Sequence, residues 1–116
     1  MKTFLAVFTG SSDSMGKWME LNEAVRKEKE KKGVAAWKAW VGSNAKSIKD
    51  TGGPLSKTKR VDTKGIHDIR NSMSAYTVVE ATSQEEAAKL FLNHPHFSIF
   101  PGDGVEIMEV LPIPEM

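Results

Sequence analysis

Cysteine is absent from the 116-residue chain. That excludes disulfides, thiolate metal sites and a cysteine nucleophile. Tyrosine occurs once, so any phenol chemistry rests on Tyr76. No apolar run approaches the roughly 20 residues that a spanning helix requires. The apolar opening Phe4-Leu5-Ala6-Val7-Phe8 is too short for a secretory signal, and polar Ser11-Ser12-Asp13-Ser14 follows at once. It reads instead as a first strand, and a soluble cytoplasmic protein without a membrane partner is expected. Dinucleotide fingerprints, P-loops, zinc spacings and nucleic-acid modules are also missing. Neither a cofactor, a metal nor a nucleic-acid partner is therefore expected.

Charge of one sign is missing only in the balance. The net charge is +1, but residues 1–64 hold 14 Lys and Arg against 7 Asp and Glu, whereas residues 65–116 hold 2 against 8. The halves thus carry +7 and −6. Such asymmetry fits a basic site for an anionic ligand or a surface for an acidic partner, and equally a set of solvated lysines on helices. The run Arg26–Lys32 belongs to the solvated kind. Glu28 and Glu30 interrupt its lysines, and Glu23–Lys27 and Glu28–Lys32 are helix-stabilising pairs. It also lacks the interleaved aromatics that stack bases.

The length suits a single domain over 1–116, with one core. After the first strand, Gly10 to Ser14 supply a turn and N-cap candidates. Met15, Trp18, Leu21 and Val25 then form one apolar helical stripe. Gly33 predicts a break or kink. A second helical pattern carries Trp37, Trp40, Val41 and Ile48 and is stopped by Thr51-Gly52-Gly53-Pro54-Leu55. A short edge strand is predicted at 58–62, then loop over 63–74 with weak strand character at Ile66. Residues 75–81 alternate as a strand. Ser83-x-x-Glu86 is a capping box whose helix buries Ala87, Leu90 and Phe91 and ends near Asn93, before Pro95. Pro101 to Gly104 is a turn, and 105–113 is a last strand.

The order β-α-β-β-α-β, with a split long first helix, predicts an α+β ferredoxin-like sandwich. Its four-stranded antiparallel sheet would carry both termini on central strands and helices on one face. The bare face requires a cover, so a homodimer with sheets packed face to face is expected.

Trp37-x-x-Trp40-Val41, Gly52-Gly53-Pro54-Leu55, Tyr76 to Ala81, Asn93-His94-Pro95-His96-Phe97 and Glu106-x-Met108-Glu109-Val110-Leu111-Pro112-Ile113 together resemble the YCII-related proteins. The resemblance spans Phe4 to Pro114. It implies a protomer of the dimeric α+β barrel superfamily with a polar pocket between the helix ends and the paired sheets. Some members of that family are proposed to be enzymes with a His/Asp pair. This chain has Ala36, Trp37 and Trp40 where short members carry the helix histidine, and His94-Pro95 in place of Asp-Pro. Asp68-Ile69-Arg70 also lacks the Gly-Pro-Phe of a related subgroup. The pair is therefore not carried over.

His94 and His96 are the sharpest candidates for chemistry, because imidazole titrates near neutrality. Set two apart on an extended segment, both rings would point to one side. They would serve as general acid and base together with Tyr76, or as a cap at the helix C-terminus. A metal reading would need a third ligand from His67, Asp103 or Glu106. Trp37, Trp40, Gly53, Pro54, Glu80 and Glu106 are candidate ligand contacts. A carboxylate in an apolar barrel would have its pKa raised and could act as acid or base; rim or dimer ion pairs are its plainer role. Two functions follow. One is a small-molecule-binding protein acting as an acid–base enzyme on a small organic substrate. The other is a non-enzymatic ligand-sensing or protein-interaction module.

Overall fold

A computed structural model describes residues 1–114, the side chain of Ser98 excepted. Strands β1 (Lys2–Thr9), β2 (Ile48–Pro54), β5 (Met73–Ala81) and β6 (Gly104–Glu109) form one sheet in the order β2-β5-β1-β6. Each neighbouring pair is antiparallel. Helices α1 (Ser12–Glu20) and α2 (Glu23–Ser43) connect β1 to β2, and α3 (Gln84–Lys89) and α4 (Pro95–Ser98) connect β5 to β6. Strands β3 (Thr58–Asp62) and β4 (Gly65–Ile69) pair only with each other.

Alternation explains the sheet's two faces. Phe4, Ala6 and Phe8 of β1 and Ala75, Thr77, Val79 and Ala81 of β5 are buried. Ala87 and Phe91 close over them, with Trp37, Trp40, Leu90, Val105 and Ile107 partly buried around this core. The opposite face carries Leu5 opposite Val78 and Met108, and Val7 opposite Tyr76 and Glu106. Among the described residues no helix is long and apolar enough to cross a membrane.

Four expectations need correction. The long helix breaks at Leu21–Asn22, not at Gly33. Asn22 caps α2 by accepting from Val25 N–H at 2.9 Å, a start signal hidden inside a continuous apolar stripe. Gly33 is buried mid-helix because a Cβ there would run into the Phe100 ring. Second, the strand beside β5 is 48–54, the segment expected to end the helix. Ile48 already belongs to it, and its register shifts twice before Pro54, which hides the alternation. Third, 58–62 is not in the main sheet, and the expected loop contains its partner β4, joined by Val61–Ile66 and Lys59–Asp68 pairs. Fourth, the C-terminal strand lies at the edge, because β1 has β5 on its other side and leaves β6 a single neighbour.

The capping box is half formed. Ser83 Oγ accepts from Glu86 N–H at 3.2 Å, while the Glu86 carboxylate turns to Lys89. Asp103 ties the turn before β6 to the start of α1. It accepts from Ser11 N–H at 2.6 Å and from the Ser14 hydroxyl. The Ser14 and Ser11 hydrogen bonds hold its carboxyl below the usual range.

Candidate functional site

Helix α2 presents Val34, Trp37, Lys38 and Val41 on one side, at the spacing of a single helical face. That side faces the bulged stretch Thr51-Gly52-Gly53-Pro54 and the start of β5 at Ser74, Ala75 and Tyr76. Between them lies a cavity of about 500 Å³, closed by Gly10, Met15, His96, Phe100 and Pro101. Most of its wall is apolar. Such volume and lining are those of small-molecule sites, which run about 300–1,000 Å³ with a few placed polar groups.

The bulge shapes one wall. Asp50 Oδ1 accepts from Gly52 N–H at 2.9 Å, and Gly52 takes a φ of 63° with its α-carbon hard against the Tyr76 carbonyl. Only glycine meets both conditions without strain.

His96 is nearly buried and lines the cavity. Its Nε2 lies 2.8 Å from the Thr9 carbonyl. A carbonyl only accepts, so Nε2 carries a proton, and in the neutral ring Nδ1 is the nitrogen with the lone pair. Gly102 packs flat against the ring, and a Cβ there would overlap it. An imidazole held in one orientation is thereby placed at the cavity wall.

His94 has a different place. Its ring is fully buried and packs at 4.4 Å on Trp37, 4.6 Å on Trp40 and 5.0 Å on Phe8. Nδ1 accepts from His96 N–H at 3.0 Å, so His94 is the N-cap of α4, not the expected C-terminal cap of the preceding helix. The cause is Pro95: it forbids α geometry at His94 and starts a new turn at its own position. Burial first, and the neighbouring His96 second, lower its pKa from 6.5 to about 4. His94 is therefore neutral at pH 7, and its Nε2–H has no hydrogen-bond partner among the described residues. The near-perpendicular packing on Trp37 is the arrangement in which an N–H edge meets a π face.

The cavity thus gathers His96, Tyr76, Trp37, Gly53 and Pro54 from the sequence candidates. His94 sits behind Trp37, outside the lining. Trp40 is outside it too, donating from Nε1 to the Leu90 carbonyl at 2.9 Å. Glu80 and Glu106 lie on the helix-free sheet face. Among the described residues no three His, Asp or Glu side chains come together as a metal site, and His67 instead faces Asp62 at 3.4 Å on the β3–β4 hairpin. Sequence reading missed Met15, Val34, Lys38, Val41 and Phe100. The spacing of 34, 37, 38 and 41 was a usable signal, since these positions share a face once the helix is known to run through Gly33.

No family model matches the chain, and no characterised protein matches it in sequence. In fold it is similar to 5-chloro-2-hydroxyhydroquinone dehydrochlorinase (TftG) from Burkholderia phenoliruptrix AC1100, solved in complex with 2,5-dihydroxybenzoquinone. The TM-score is 0.53 at 18% sequence identity, over 91% of this chain and 90% of that chain. The chain therefore has a mixed α+β fold of that kind, built on a four-stranded antiparallel sheet.

Proposed function

We propose that this chain, as one domain, binds a small ring-bearing organic molecule in the cavity under α2, where His96 Nδ1 accepts a proton from it. The cavity carries the reading: it is about 500 Å³, largely apolar, walled by Trp37 and Phe100, and has one tautomer-locked imidazole. That a protein of this fold holds 2,5-dihydroxybenzoquinone agrees with a ligand of that size. In this reading His96 is the catalytic residue of an acid–base enzyme; Tyr76 borders the cavity at β5 but belongs to the helix-free sheet face, opposite Val7. His94 positions His96 through the α4 cap and does not touch the ligand.

Calorimetric titration with 2-naphthol tests it. The wild type is expected to bind, and Val34→Phe, which fills the cavity from a half-exposed helix position, is expected to abolish binding without lowering the melting temperature. His96→Gln should weaken 2-naphthol binding by up to roughly tenfold, the worth of one neutral hydrogen bond. Binding that survives Val34→Phe would sink the cavity reading. Binding without turnover of any phenolic compound would return the ligand-sensing alternative.

The ferredoxin-like protomer of a dimeric α+β barrel is part of the same proposal. Its support is the observed strand order and the helix-free sheet face. On that face Leu5, Val7, Tyr76 and Val78 are half-buried without any covering layer, and Met108 is 44% exposed. The radius of gyration, 16.1 Å, also exceeds the about 13 Å of a compact chain this long. A second copy laid on this face would bury the stripe. Sedimentation should show a dimer for the wild type and a folded monomer for Val78→Arg, and a wild-type monomer would overturn the pairing.

A further inference from the structure

The cavity contains one fixed charge. Among the described residues that line it only Lys38 is formally charged, and no carboxylate is among them. Lys38 takes part in no ion pair among the described residues. Lys27 and Lys32 of α2 are paired with Glu23 and Glu28 one turn earlier; Lys29 and Lys31 have no ion pair among the described residues either, but only Lys38 of these lysines lines the cavity. Asp50, beside the bulge, is directed to Gly52 N–H. Lys38 also sits between the apolar lining positions Trp37 and Val41 on the helix. A lysine so placed lays its methylene stem on the apolar wall and keeps its ammonium at the wet rim.

From this we infer that the cavity selects anionic aromatic molecules, a carboxylate or phenolate on a ring, with the ring against Trp37 and the anionic group on Lys38. The inference rests on the ligand-binding reading above and narrows it. Three observations converge. The apolar wall desolvates a ring, which strengthens any charge contact at its edge. A cation with neither an ion pair nor a lining carboxylate among the described residues gives the cavity a positive potential. The remaining titratable lining group that can accept a proton, His96 Nδ1, would leave the bound molecule more anionic, and Lys38 would then hold the charge so formed.

The test uses two probes of the same shape, 1-naphthoate and neutral 1-naphthamide, titrated calorimetrically into the wild type, Lys38→Met and Val34→Phe. The expected result is about tenfold tighter binding of naphthoate than of naphthamide, the scale of one charge-assisted hydrogen bond. That preference should disappear in Lys38→Met, with naphthamide affinity unchanged, and neither probe should bind Val34→Phe. Equal affinities in the wild type, with Val34→Phe blocking both, would overturn the anion inference and leave the cavity reading standing. A naphthoate preference that persists in Lys38→Met would also overturn it, assigning the charge elsewhere. Failure of both probes to bind the wild type would remove the cavity reading and the inference together.

Discussion

Replacing His94 with alanine is expected to cost about 3 kcal/mol of folding stability at neutral pH, because it empties a fully buried ring site and removes a cap at once. His94→Asn should cost less, since the amide oxygen can still accept from His96 N–H. The two variants also differ from the wild type in pH dependence, and the sign follows from the direction of the shift. The imidazole binds its proton at about 4 when folded and near 6.5 when unfolded. Above pH 6.5 both states are neutral and the group adds no pH dependence. Between 6.5 and 4 the unfolded chain takes up a proton that the folded chain refuses, so wild-type stability falls as the pH falls. The loss is on the order of 2–3 kcal/mol by pH 4.5. His94→Asn lacks this component. Urea denaturation at pH 7.5 and pH 4.5 should therefore show the deficit of His94→Asn shrinking, or reversing, at the lower pH. A deficit that stays constant would mean that His94 titrates normally and that its burial does not persist in solution.

The same variants separate structure from chemistry at the two histidines. His94 reaches the cavity only through what it holds: the backbone N–H of His96 and the face of Trp37. His94→Asn is expected to bind 2-naphthol like the wild type once folded, whereas His96→Gln keeps the fold and loses affinity. The sequence motif His94-Pro95-His96 thus contains two functions. One ring closes the aromatic core and starts a helical turn, and the other ring lines the cavity.

What could be read from the sequence follows the strength of local patterning. β5 reads as a strand from its alternation, β1 only as a short apolar run whose faces separate once one of them packs under helices, and α3 announces itself through Ser83 and Ala87. β2 was unreadable for a physical reason. Lys49, Asp50 and Thr51 face water at the sheet edge, and two register shifts destroy any period of two. Its place is fixed by backbone pairing to β5, a long-range interaction without a local signature. Gly33 misled for the opposite reason. A mid-helix glycine usually marks weakness, but here the missing side chain is the space that Phe100 fills, and Phe100 lies 67 residues further along the chain. The cavity inherits both errors. One wall is the unrecognised β2 bulge and the other is the helix face running on past Gly33. His96 was legible as a titratable group near a turn, but nothing local distinguished it from His94.

Gly52→Ala should be the most damaging single-methyl change in the molecule, by about 3 kcal/mol or more. Two penalties combine. A φ of 63° in a residue with a Cβ costs about 1–2 kcal/mol. The added methyl would also overlap the Tyr76 carbonyl, a backbone atom that cannot swing aside without parting β2 from β5. Separation there would open the cavity wall, so ligand affinity should fall along with stability. Gly53→Ala is the control. It adjoins the same bulge and lines the same cavity, yet a Cβ on it meets nothing within 4 Å and its φ is not positive. That change should stay within about 1 kcal/mol, because an alanine the backbone tolerates stiffens the unfolded chain and can even stabilise. Chemical denaturation of the two variants side by side reads the contrast. Equal, small effects would mean that the bulge is not the tight left-handed turn that shapes the cavity, and that β2 can pair with β5 in another register.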